Sequence, residues 1–256
     1  PAAGSGEARP RRERVEADVT GNLKRLGGPS EPLDGRARLV LLHSQMHPGS
    51  REPFRFSWQD IPKTGLGTKD YIAPDSFDFR QSRLYRVGQY WGAASYLQIM
   101  ASELSDRLLA EILELDAELT VTMHIQTVDQ LKAIKTVKGK LSDIGKLKVE
   151  EQRKAVRAGY DPDILPPDLI TFSKDAAELL ADLQSRNERM FLLTFTVVNI
   201  APTRQRLEND IFTVGGIAQK YNCALKRLDW QQEQGFVSSL ALGYNEVEIQ
   251  RGMTTS

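Results

Sequence analysis

Apolar and polar residues follow distinct periods along this chain, and the periods predict strands alternating with helices. Residues 119–126 alternate strictly between apolar and polar types, which is typical of a strand with one buried face. Residues 190–200 are apolar on both faces, which indicates a central strand covered on two sides. Residues 93–99 and 223–230 predict two further strands.

Helical spacing lies between these strands. Leucine and isoleucine recur every three or four residues over 104–115, behind Ser102 as the predicted N-cap. A helix with the same spacing follows Thr203, its predicted N-cap. Residues 128–158 form the longest helical pattern, and a further helix with Ser173 as its predicted N-cap follows a proline-rich break. The two together predict an antiparallel helical hairpin.

The order of elements defines the predicted fold. With the hairpin set aside, the order is βαββαβ, the ferredoxin-like arrangement of an antiparallel sheet with two helices on one face. We therefore predict an α+β fold with a long helical hairpin inserted at about 128–188, plus a small N-terminal β-rich portion. The predicted divisions are a flexible tail (1–35), a small β-rich subdomain (36–90), a ferredoxin-like subdomain (91–245) and a final strand-like segment (246–256).

Composition narrows the classes of function. The 256 residues contain 34 basic and 34 acidic side chains, and this zero net charge gives no general argument for a nucleic-acid partner. Cys223 is the single cysteine, so the chain has no internal disulfide and fits a reducing compartment. No secretory signal pattern is visible, and the longest apolar run is shorter than the roughly 20 residues that span a bilayer.

The sequence predicts no catalytic, cofactor-binding or metal site. The nearest approaches to a phosphate-binding loop are Gly139-Lys140-Leu141 and Gly145-Lys146-Leu147, and both lack the Ser or Thr that holds magnesium. His43 and His47 have the spacing of two ligands on a helix, but no third ligand accompanies them. His124 is expected to be a solvent-facing or hydrogen-bonded residue of its strand.

The clearest electrostatic feature is the long helical pattern at 128–158. It holds nine basic and four acidic residues, a local net charge of plus five. This face is either a solvated helix surface or a docking surface for an acidic protein, a lipid surface or nucleic acid. A surface for single strands would interleave aromatic with basic residues, and no aromatic residue precedes Tyr160 here. The candidate docking residues are Lys132, Lys135, Lys138, Lys140, Lys146, Arg153 and Arg157.

A set of sequence blocks carries a family resemblance from about Trp58 to the C-terminus. The blocks include KTGLGTKDYIAP at 63–74, SFDFR at 76–80, ELSDR at 103–107, AIKTVK at 133–138, LQSRNERMF at 183–191, IAQKYNCALKRLD at 217–229 and IQRGMTTS at 249–256. On these blocks the chain resembles the conjugative-transfer ATPases of Gram-positive integrative elements, a branch of the CagE/TrbE/VirB family of type IV secretion motors.

The resemblance implies that the chain is the N-terminal, non-catalytic portion of such an ATPase. It implies a cytoplasmic protein, peripheral at the inner face of the bacterial plasma membrane, whose partners are inner-membrane secretion components and other copies of itself. ATP and Mg²⁺ are expected only in a C-terminal motor domain, and residues 246–256 are expected to begin the connection to it. The chain alone is therefore expected to hold no cofactor and to turn over no ATP.

Three hypotheses follow from the sequence. The first is an assembly and partner-docking domain of a secretion ATPase. The alternative is a nucleic-acid-binding module that uses the basic helix at 128–158, whose affinity would fall steeply with salt. The third is a free-standing enzyme, which the scarcity of histidines and of converging polar motifs disfavours.

Overall fold

A computed structural model gives the structure of the chain in two compact units, Pro1–Phe77 and Asp78–Ser256. Its described residues are 5–50, 52–101, 104–161, 163–186 and 188–255, with side chains described from Pro10 onward. As predicted, the fold is α+β, with an antiparallel open sheet.

The first unit is helical, which corrects two predictions. Its helices are α1 (Ser5–Arg25), α2 (Gly35–Met46), α3 (Ile61–Thr64) and α4 (Thr68–Ile72). The predicted flexible tail at 1–35 thus contains a helix of 21 residues. The predicted β-rich subdomain at 36–90 contains three helices, and its strands are the short β1 (Phe77–Asp78), β2 (Tyr85–Val87) and the first residue of β3 (Tyr90–Ile99).

Helix α2 shows why the prediction for this segment was wrong. The run RLVLLH at 38–43 resembles a short strand, but Asp34 caps a helix there by accepting a hydrogen bond from the backbone N–H of Ala37 at 2.7 Å. Leu39 and Leu42, three residues apart, are buried on one side of that helix. A cap and one buried face therefore outweigh the β-propensity of six residues.

The second unit is built on one sheet. Beyond β1, β2 and β3, its strands are β4 (Glu118–Thr127), β5 (Met190–Ala201), β6 (Cys223–Arg227) and β7 (Arg251–Thr254). Within the described residues the sheet has seven strands in the order β1-β2-β3-β5-β4, while β6 pairs with β3 and β7 pairs with β5. The last strand lies later than the one predicted to begin at 246, and residues 246–250 are irregular.

Helices cover both faces of this sheet. Helices α5 (Asp106–Leu113) and α8 (Arg204–Lys220) pack on one face, where the core includes Leu108, Ile112, Val197 and Val214. Helix α9 (Gln232–Ser239) packs on the other face. Its last two residues form hydrogen bonds with Thr122 and His124 of β4, whereas Leu119 and Val121 of the same strand pack with the core under α5 and α8. Alternate residues of a strand point to opposite faces, so α9 and the pair α5 and α8 lie on different sides of the sheet.

Of the three predicted helix N-caps, Thr203 is confirmed, because its side chain accepts a hydrogen bond from the backbone N–H of Arg206. Ser102 lies outside the described residues, and Ser105 caps α5 instead. Ser173 lies inside its helix rather than at its start, since Pro166-Pro167 begins that helix. Proline suits the first turn of a helix, where its missing N–H leaves no hydrogen bond unmade.

The predicted helical hairpin is present between β4 and β5. It consists of α6 (Gln130–Arg157) and α7 (Pro167–Ser185). Ala133, Val137 and Leu183 form a buried cluster between the two helices. At the base of the hairpin, the side-chain amide of Gln130 donates to the backbone carbonyls of Leu183, at 2.7 Å, and of Glu188, at 2.8 Å. These bonds tie the start of α6 to the end of α7.

Candidate functional site

The seven candidate docking residues on α6 are all exposed, but they do not form one continuous patch. At 3.6 residues per turn, five of them lie within an arc of about 60° on the side of α6 opposite its buried residues. These five are Lys132, Lys135, Lys146, Arg153 and Arg157. Lys138 and Lys140 lie about 90° or more from the centre of this arc, on opposite flanks of the helix.

Acidic residues interrupt the basic face. Asp143 forms an ion pair with Lys146 at 3.1 Å, and both side chains are largely exposed. Glu150 is exposed on the same side of the helix. The cations that remain are Lys132 and Lys135 near the hairpin base, and Arg153 and Arg157 near its far end. Exposed pairs contribute about 0–1 kcal/mol each, so the pair between Asp143 and Lys146 adds little to the stability of the hairpin.

The far end of the hairpin presents apolar side chains that the sequence analysis did not single out. We call this region the hairpin tip, defined as residues 156–161 and 163–172. Five of its large apolar residues are 50% to 75% exposed: Val156, Tyr160, Ile164, Ile170 and Phe172. Tyr160 and Ile164 in the proline-rich turn, with Ile170 and Phe172 at the start of α7, are the sequence signal that could have indicated this surface.

The three histidines and the cysteine are held by contacts with neighbouring residues of the fold. The rings of His43 and His47 stack with centroids 3.9 Å apart. The pKa of His43 is lowered, mainly by its burial and secondly by the charge of the nearby His47. His124 lies 2.8 Å, through Nε2, from the backbone carbonyl of Ser238, as a hydrogen-bonded sheet residue would. Cys223 is buried, and this burial raises the pKa of its thiol. Among the described residues, no three or more His, Cys, Asp or Glu side chains are grouped to hold a metal ion.

Comparisons with known proteins give no assignment. No protein-family model matches the chain, and no curated protein matches its sequence. In the part of the chain that the structure describes, no helix combines the length and apolar character needed to cross a membrane.

Proposed function

We propose that this chain is the partner-docking and assembly domain of a type IV secretion ATPase of the CagE/TrbE/VirB type. In this proposal the chain lies at the inner face of the bacterial plasma membrane and binds inner-membrane secretion components or further copies of itself. A separate motor domain binds ATP and Mg²⁺, so the chain alone turns over no ATP. The resemblance of the sequence blocks to this family is the starting point.

The observation that carries the docking role is the exposed apolar surface of the hairpin tip. Large apolar side chains that remain in water cost free energy, and clusters of them mark interaction sites. Burying one such side chain in a partner would contribute about 1.5–3 kcal/mol. Arg153 lies just before the tip on α6 and Arg157 lies within it, and both would add charge complementarity to an acidic partner surface.

We also propose that the sheet is ferredoxin-like. Strands β3, β4, β5 and β6 are joined in chain order by α5, the hairpin and α8, and they lie side by side as β6-β3-β5-β4. All three pairings in this set are antiparallel. This order is consistent with the βαββαβ arrangement, in which the hairpin is an insertion that the sheet itself does not require.

The docking proposal is tested by affinity purification from the native host. The tagged chain and a variant carrying Tyr160→Ser, Ile164→Ser and Phe172→Ser are recovered from detergent-solubilised membranes, and the bound proteins are identified by mass spectrometry. We expect inner-membrane secretion components with the parent chain and their loss with the variant, because serine removes the apolar contact area while these exposed positions leave the core intact.

The matched control replaces three exposed apolar residues outside the tip, Met123, Ile125 and Phe212, with serine. We expect this control to retain the partners. Recovery of the same proteins by the tip variant, or recovery of no secretion component by the parent chain, would overturn the proposal.

A further inference from the structure

Strand β4 forms an open edge of the sheet in the second unit. It is the terminal strand in the order β1-β2-β3-β5-β4, and β5 is the one described strand that pairs with it. The pairing includes all ten residues of β4, from Glu118 opposite Ile200 to Thr127 opposite Phe191. A strand of this length extends about 33 Å, whereas strands of five or six residues are the commonest.

The hydrogen bonds around β4 identify the backbone groups that face outward. The N–H of Val128, directly after β4, donates to the carbonyl of Met190 in β5 at 3.2 Å. Because backbone groups alternate in direction along a strand, the even-numbered residues of β4 bond to β5. The odd-numbered residues direct their N–H and C=O groups away from the sheet, and these residues are Leu119, Val121, Met123, Ile125 and Thr127.

This edge lacks the features that protect exposed strands. No hydrogen bond from the rest of the described chain reaches the outward groups, since α9 contacts the side chains of Thr122 and His124 on one face. Proteins protect such edges with lysine, proline, bulges or a covering segment. Strand β4 contains no Lys, Arg, Pro or Gly, and Glu118 at its start is its one carboxylate. An unprotected edge of this length is a template for a further strand.

The side chains of β4 match a second copy of the same strand. When two copies run antiparallel about a two-fold axis at Thr122, Val121 lies opposite Met123, and Leu119 lies opposite Ile125. Opposite residues share a face of the sheet, so apolar side chains meet apolar ones there. The pairs on the other face are Thr120 with His124, and Glu118 with Gln126. No pair brings two like charges together.

The same axis also aligns the backbone. Odd-numbered residues lie opposite odd-numbered residues, so the outward N–H and C=O groups of one copy face those of the other and can form up to about eight hydrogen bonds. Met123 is 40% exposed and Ile125 is 61% exposed, and each would gain an apolar side chain of the second copy as its neighbour.

We propose that β4 is a self-association edge, at which two copies of this chain join their sheets into one continuous antiparallel sheet. The occupant is a second copy because β4 matches its own sequence in polarity, in charge and in the direction of its backbone groups. This inference rests on the part of the proposed function in which the chain binds copies of itself. It assigns that contact to β4 and leaves the hairpin tip to the inner-membrane components.

Disulfide cross-linking tests the register. Thr122→Cys places two thiols on the two-fold axis in a non-hydrogen-bonded pair, whose Cα atoms lie about 4.5 Å apart, within the range of a disulfide. After oxidation with copper–phenanthroline, we expect a dimer on a non-reducing gel. The matched control is Thr120→Cys, on the same face of β4, which should give no dimer because it lies opposite His124 of the second copy. The parent chain should give none either, since Cys223 is buried.

Sedimentation velocity of the purified chain, over a range of concentrations, measures the association itself. Ile125→Pro removes an outward N–H that makes no bond to β5, so it should weaken the dimer about ten-fold or more through the hydrogen bond that each copy loses. Ile125→Thr keeps the N–H and a β-branched side chain, and it should associate much as the parent chain does. The urea midpoints of the two variants should be similar, because proline is tolerated where the N–H of an edge strand faces solvent.

The hairpin tip provides the control that separates this inference from the docking proposal. Thr122→Cys combined with Tyr160→Ser, Ile164→Ser and Phe172→Ser should cross-link as Thr122→Cys alone does, whether or not the tip binds membrane proteins. The proposal is overturned if the parent chain is monomeric at every concentration or if Thr122→Cys cross-links no more than Thr120→Cys. It is also overturned if Ile125→Pro, with an unchanged urea midpoint, associates as tightly as the parent chain.

Discussion

Gln232 fills a gap along one side of β3, and its replacement should destabilise the second unit. Strand β2 pairs with β3 as far as Gly92, and β6 begins to pair at Ser95. Between these points, the side chain of Gln232 accepts from the N–H of Ala94 at 2.7 Å and donates to its carbonyl at 3.0 Å. It also donates to the carbonyl of Leu228 at 2.7 Å, and it is only 2% exposed.

The expected loss follows from these three bonds. Gln232→Met keeps a side chain of similar length and removes all three, each with a net contribution of about 1 kcal/mol. The carbonyl of Ala94 retains the N–H of Leu228 as a partner, at 3.1 Å. The N–H of Ala94 loses the glutamine oxygen, and an unpaired buried donor costs about 1–3 kcal/mol. We therefore expect the free energy of unfolding to fall by about 2–4 kcal/mol, and somewhat further in Gln232→Ala, which also leaves a cavity.

The measurement is urea denaturation followed by tryptophan fluorescence. In a Trp58→Phe background the reporters are Trp91 and Trp230, both in the second unit, so the signal follows that unit alone. The control is Gln205→Met at an exposed position of α8, which should change the free energy by less than about 0.5 kcal/mol. If Gln232→Met unfolds within that same margin of the parent chain, the reasoning is refuted.

Two further predictions concern packing and pH. A Cβ at Gly235 would lie 2.4 Å from the Cβ of Ala94, so Gly235→Ala should lower the free energy of unfolding by about 1–3 kcal/mol in urea denaturation. Gly216 lies on the open side of α8, so Gly216→Ala should raise the free energy of unfolding by about 0.5–1 kcal/mol. Equal effects of the two substitutions would contradict the packing argument. The hydrogen bonds from Arg227 lower the pKa of Glu208 below 4.5, so this carboxylate stabilises the fold fully above pH 4.5 and loses that effect as pH falls through the lowered value. Glu208→Gln should therefore reduce the decline of the urea midpoint on the acid side, and an unchanged decline would count against the pairing.

The strands and helices of the second unit were predictable because their residues repeat with a clear period. Strands β3, β4 and β5 begin and end within three residues of the predicted limits, and the two hairpin helices are present in the predicted order. A strand of ten or more residues, or a helix of 28, contains enough repeats for alternation and helical spacing to be distinguished. The α+β class follows from their order.

The first unit was mispredicted for two reasons, the short apolar run in α2 and the polar composition of α1. Six residues such as RLVLLH fit a strand or a short stretch of helix equally well, and the cap at Asp34 is what favours the helix. The composition of the Arg-rich N-terminal segment predicts a tail, yet residues 5–25 have helical spacing of their own, with Val15, Val19 and Leu23 four residues apart.

Local periodicity, capping residues and proline breaks thus determine the type and order of most elements, because these forces act between residues close in the chain. Burial and proximity depend on contacts between distant segments, and tertiary structure alone decides them. It leaves Ile125 exposed on a strand that alternates regularly, and it exposes the apolar hairpin tip. The tertiary structure also places Arg83, Arg204 and Arg227 around one cavity, because α8 and β6 pack beside the segment before β2. No pattern along the chain predicts that these three residues lie together.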